Sequence, residues 1–127
     1  MNIDLQKKLV KNFPSFFDKD FYFECDDGWY ELIFKLCEDI KSKLNDKEKS
    51  DFKILQVKEK FATLRVYCAN SNDEIFELIQ KASQESASIC EITGGIGQLH
   101  QCGGYFKTLN TETAKLLKFK PVKNKKD

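Results

Sequence analysis

The chain has 127 residues, 41% of them hydrophobic, and its 21 Lys and Arg nearly cancel its 20 Asp and Glu to leave +1. A single domain of this size closes a core without staples, and 11 Phe point to an aromatic interior. No stretch approaches the ~18 apolar residues of a membrane span, and five cysteines at irregular spacing fit no disulfide framework.

Near the start, Ile3, Leu5, Leu9 and Val10 predict a short amphipathic helix that stops near Pro14. The aromatic run PSFFDKDFYFEC reads as loop passing into a short strand. Asp26, Asp27 and Gly28 are expected to cap a helix over about 28–44. Its apolar stripe is Trp29, Leu32, Ile33, Leu36, Cys37, Ile40 and Leu44. The polar run NDKEKSD should end it. Two alternating stretches then predict a hairpin over about 52–69, turning around 60–63. Leu55, Val57 and Glu59 oppose Lys53, Gln56 and Lys58 on the first arm, and Leu64, Val66 and Cys68 oppose Arg65 and Tyr67 on the second. Asn70, Ser71 and Asn72 are expected to cap a second long helix, about 72–89, with Ile75, Phe76, Leu78, Ile79, Ala82 and Ile89 as its apolar set. A second short hairpin is expected over about 97–109, turning at Gly103 and Gly104. Asn110 or Thr111 caps a last short helix through Leu117. The expected architecture is one α+β domain over 1–119, two main helices on a small antiparallel sheet, followed by a flexible lysine-rich tail over 120–127. From residue 115 to the end there are six lysines against one aspartate, a net of +5 that leaves −4 on the rest.

The segment SASICEITGGIGQLHQCGGYFKTLN looks like a zinc loop with most of its ligands missing. A tetrahedral zinc site needs four N or S donors, often in Cys-x-x-Cys pairs, yet Thr93 stands three positions after Cys90. Three stretches, DGWYELIFKLCEDI, LQVKEKFATLRVY and SASICEITG with a downstream GGYFKTL, resemble a set of small uncharacterised bacteriophage and prophage proteins. The likeness covers roughly residues 24–119. In cysteine-rich members of that set the loop resembles a zinc site built from Cys-x-x-Cys and a later Cys-x-x-His. Here only Cys90 matches, with Thr93 at the second cysteine and Asn110 at the third. The resemblance therefore implies a shared fold and a mobile-element setting, with no metal and no activity attached.

Four constellations carry chemistry worth weighing. Cys90, His100 and Cys102 could supply three zinc ligands, but Cys-x9-His-x-Cys matches no common structural pattern. His100 is the only histidine, so any Cys–His nucleophile must use it with Cys90 or Cys102, and no third group is evident. Glu24, Asp26 and Asp27 cluster as acidic groups able to bind a divalent ion or do acid–base work, and their simplest role is the helix cap. Lys58, Lys60, Arg65 and Tyr67 alternate along the central hairpin. They read as a solvated face or as a surface for an anionic partner or nucleotide. The aromatic group Phe21, Tyr22, Phe23, Trp29 and Tyr30 reads as core rather than as a stacking platform. Arg65 is the only arginine, which argues against specific base readout.

The expectation is thus a non-enzymatic, cytoplasmic binding protein without a cofactor, occupying a protein partner as immunity or anti-defence factors do. The alternatives are a nucleic-acid accessory protein using hairpin and tail, and a degenerate zinc-loop protein with residual metal binding. No N-terminal apolar targeting segment is seen in MNIDLQKKLV.

Overall fold

The computed structural model describes residues 1–122. They form five α-helices and two small antiparallel sheets, an α+β fold. Helix α1 (Ile3–Asn12) begins at Asn2, whose side chain accepts from the Leu5 amide, and ends before Pro14. The expected acidic cap on the next helix is not what forms. No side chain caps the 3-10 turn Asp27–Trp29 or α2 (Tyr30–Ser42) behind it. Asp27 instead accepts from the Asn2 amide at 2.6 Å, and Asp26 faces Lys107 at 3.6 Å. Tertiary donors outcompete the local helix end for both carboxylates. The polar run after α2 is also more than a terminator. Asn45 and Glu48 form a reciprocal capping box that starts α3 (Asp46–Asp51).

Strands β1 (Lys53–Lys60) and β2 (Thr63–Ala69) pair as the expected hairpin. The two-residue turn places Phe61 at φ 50° and Ala62 at φ 68°, the left-handed pair that matches strand twist. A bulge between Ile54 and Gln56 corrects the predicted alternation. Ile54 and Val57 face the core and Leu55 is pushed outward. Helix α4 (Asp73–Ser86), capped by Asn72, ends three residues earlier than expected. It buries Ile75, Ala82 and Ser86, while Phe76, expected among its core residues, is 59% exposed.

Strands β3 (Gln98–Cys102) and β4 (Tyr105–Leu109) form the second hairpin, and Asn110 caps α5 (Thr111–Leu116). The tail expected to be flexible from residue 120 is corrected at its start. Strand β5 (Lys120–Pro121) pairs with Gln101 and His100 of β3, and Val122 donates to the Leu99 carbonyl. The remainder of the expected tail, 123–127, lies outside the described residues.

The core is aromatic, as the composition requires. Phe16, Phe23, Phe52 and Trp29 are fully buried, and Phe17, Phe21 and Phe23 meet ring to ring at 4.8–5.1 Å. Each such ring stabilises by about 1.5–3 kcal/mol through burial, with ring pairing adding about 1 kcal/mol. Within the aromatic group expected in the core, Phe23 and Trp29 are buried, Phe21 and Tyr30 half-buried, and Tyr22 exposed. A smaller cluster of Cys90, Leu109 and Ala114 anchors the glycine-rich loop. Trp29 joins the two regions, its indole Nε1 donating to the Ile89 carbonyl at 2.9 Å.

Candidate functional site

The central hairpin gathers the four residues singled out from sequence. Lys58 lies opposite Arg65, Gln56 opposite Tyr67 and Lys60 opposite Thr63. Cross-strand partners share a face, so Lys58, Lys60, Arg65 and Tyr67 all project from the side away from Val57, Leu64 and Val66. Like charges directly opposite each other are unfavourable, yet among the described residues neither Lys58 nor Arg65 is held in an ion pair. Among the described residues Arg65 makes no ion pair, and its buried Nε has no hydrogen-bond partner. Glu24, bridged to Lys58 along the outer edge of β1, engages Gln56 Nε2 at 2.9 Å. Phe61 extends the surface at the tip, 70% exposed, with Lys60 Nζ 5.8 Å from its ring centre.

Beside this face runs a groove of about 300 Å³ between β2 and α4, lined by Arg65, Val66, Tyr67, Phe76 and Ile79. Residues 76, 79, 80 and 83 lie three and four apart, so one flank of α4 forms its wall. Cys68 also reaches this groove, and burial pushes its thiol up to about 12, so it is present as the neutral thiol.

The glycine-rich loop is a different kind of site. Cys90 Sγ accepts from the Thr93 amide at 3.4 Å, and Asn110 Nδ2 donates to Thr93 Oγ1 at 3.2 Å. The three positions that resemble Cys ligands therefore do converge, but they offer one thiol, one hydroxyl and one amide. That donor set does not fit zinc, and hydrogen bonds among its members satisfy it. Burial alone would raise the Cys90 thiol. Hydrogen bonds from Thr93, and from the backbone of Asn110 and Ile92, outweigh burial and hold its pKa below the ordinary thiol value.

The ligand set Cys90, His100 and Cys102 is not brought together. His100 is buried on β3 with Nδ1 2.7 Å from its neighbour Gln98 O, Cys102 is exposed at the strand end, and Cys90 faces Thr93. Among the described residues no group of three or more His, Cys, Asp or Glu could hold a metal ion.

The loop is fixed by backbone proximity. A Cβ on Gly28 would lie 2.1 Å from the Cys90 carbonyl, so only glycine lets the 3-10 turn ahead of α2 touch the loop, and the Gly28 amide donates to Glu91 O at 2.7 Å. Glu91 itself is buried, accepting from the Asp26 amide at 3.1 Å and from Lys107 Nζ at 3.2 Å. Burial raises the Glu91 pKa more than Lys107 lowers it. For Lys107, burial pulls the pKa down, and Glu91 outweighs that to leave it raised. This is an electrostatic rivet between the segment leading into α2, the loop and β4.

Comparison of the chain with protein-family models, with curated proteins and with solved structures returned no match. Sequence reasoning missed the groove wall of Phe76, Ile79, Gln80 and Ser83, because a helical apolar residue reads as core by default. It also missed the rivet, although an acid directly after Cys90 in a loop otherwise free of charged residues was the available signal.

Proposed function

We propose that this chain is a binding protein without chemistry of its own, which acts by occupying an anionic surface of a partner protein. The observation that supports the reading is the register of the central hairpin. It sets Lys58, Lys60, Arg65 and Tyr67 on one face, with Arg65 unpaired among the described residues and the exposed Phe61 at the tip. Uncompensated cations beside exposed aromatics suit a protein interface, where Arg and Tyr dominate binding energy. The mobile-element setting, and with it an immunity or anti-defence role, follows from the sequence resemblance.

The test is quantitative affinity capture from a lysate of the encoding cell, with wild-type bait against a K58E/K60E/R65E triple variant. The expected result is a protein retained by wild type and lost at least tenfold by the variant, with an unchanged circular dichroism spectrum. Equal recovery by both baits sinks the reading.

A second reading, nucleic-acid binding by the same hairpin together with the C-terminal lysines, is favoured by one observation. Lys118 and Lys120 line a common groove of about 390 Å³ with Gln101 and Cys102. It requires that labelled duplex or single-stranded DNA bind with an affinity falling steeply as salt rises.

A further inference from the structure

The two edges of the central hairpin are treated differently by the fold. The outer edge of β1 is closed: Glu24 donates to the Val57 carbonyl at 2.9 Å and accepts from the Glu59 amide at 3.1 Å, and Ile54 donates to Phe16 O at 2.8 Å. Among the described residues the outer edge of β2 is closed at a single point, where the Leu64 amide donates to Ser86 Oγ at 2.9 Å. In an antiparallel ladder, alternate residues turn their N–H and C=O away from the partner strand. Val57 and Ile54 bond outward, so their partners Val66 and Cys68 also point outward, into the groove beside α4. Neither makes a backbone bond to another segment among the described residues. Natural sheets normally cover or charge such an edge.

Resting on the binding reading above, we infer that this groove takes an extended acidic segment of the partner protein, which adds as a third strand along the open edge of β2. Strand addition supplies main-chain affinity and alternate side-chain pockets supply selectivity. The residue alternation of an added strand fits both walls. Side chains on one face would meet Arg65 and Tyr67, with Lys58 one strand further along the same face, and those on the other would meet Val66, Phe76 and Ile79. The segment is therefore expected to alternate Asp or Glu with apolar residues. Charge selects this occupant over a second copy of the chain, because pairing β2 with another β2 would bring the cationic faces together. The acids of α4 do not oppose it: Asp73, Glu74, Glu77 and Glu85 lie outside the groove lining.

The test pans a displayed library of random ten-residue peptides against the whole chain and measures the selected peptides by fluorescence anisotropy and amide hydrogen exchange. Expected are peptides alternating acidic and apolar residues, affinity reduced at least tenfold by Arg65→Ala, and partial retention in Arg65→Lys. The exposed substitution Gln80→Glu, which adds a negative charge to the groove wall, should also weaken binding at least tenfold and keeps the test open if Arg65→Ala fails to fold. Exchange of the Val66 and Cys68 amides should slow on peptide addition. Peptides that bind through Lys58, Lys60 and Arg65 without slowing those amides overturn strand addition and leave the surface reading standing. Peptides indifferent to all three cations overturn both. Slow exchange at Val66 and Cys68 without peptide, in a chain that sediments as a dimer, assigns the edge to a second copy and overturns the proposal.

Discussion

At the level of single residues, the tip of the central hairpin carries the clearest departure from what a stable sequence would choose. A two-residue turn with both φ angles positive favours Asn-Gly, because non-glycine residues pay roughly 1–2 kcal/mol in that region. Here the pair is Phe61 and Ala62, and the fold holds it from three sides. The Ala62 amide donates to Glu59 Oε2 at 2.8 Å, its carbonyl accepts from Thr108 Oγ1 at 2.8 Å, and its side chain is buried. Ala62→Gly should therefore raise stability by about 0.5–1 kcal/mol, read as a higher urea midpoint at unchanged slope. A lower midpoint would mean that the methyl group's packing outweighs the strain. Strain of this kind collects at functional surfaces, and here it presents Phe61 beside Lys60.

Elements with strong local signals were legible, and those made by tertiary contacts were not. Asn72 and Asn110 cap where the sequence puts them, and the hairpin turn falls between Lys60 and Thr63 as expected. Strand β5 was hidden because Lys120 and Pro121 have no strand propensity, and only pairing with β3 makes them one. The Leu55 bulge was hidden because a single inserted residue leaves the apolar count unchanged. Of the candidate site, the cationic face could be read from alternation, whereas the groove depends on which flank of α4 meets β2. The glycine-rich loop shows the same division. Its zinc-like spacing was visible, but the convergence of Cys90, Thr93 and Asn110 needed the fold. That convergence makes a prediction at this scale. With the Thr113 backbone amide donating to Asn110 Oδ1 at 2.8 Å, the substitutions Thr93→Cys, Asn110→Cys and Thr113→His are expected to bring three more donors toward Cys90. The triple variant should retain one zinc per chain by elemental analysis, show tetrahedral thiolate absorption with cobalt, and melt several degrees higher. Loss of the Asn110 cap costs about 1 kcal/mol, well below what a structural zinc returns. Failure to retain metal would show that the loop cannot close to tetrahedral geometry.

For the molecule as a whole, the Glu91–Lys107 pair, with Asp26, ties the segment leading into α2, the loop and β4 into one unit, and its removal should be felt everywhere. Lys107→Met leaves the buried Glu91 carboxylate without its cation and should cost roughly 3 kcal/mol. The pH dependence follows from sign. The folded pKa of Glu91 is already raised by burial, so folding takes up a proton and this group's contribution grows as pH falls through that value. Loss of Lys107 raises the pKa further, so the variant's deficit relative to wild type should shrink between about pH 8 and about pH 5. Adding Glu91→Gln should recover part of the loss at the higher pH. Urea titrations at both pH values check this, and a deficit that is constant or grows on acidification would exclude the buried carboxylate as its cause. The indole at position 29 gives the molecule a built-in optical gauge. It is the only tryptophan, it has no solvent contact, and its one polar atom is spoken for by Ile89. Its emission should be blue-shifted in the native chain and move to longer wavelength once the loop peels from α2. Early peeling under mild denaturant, before helix content falls, would thus register without any added dye.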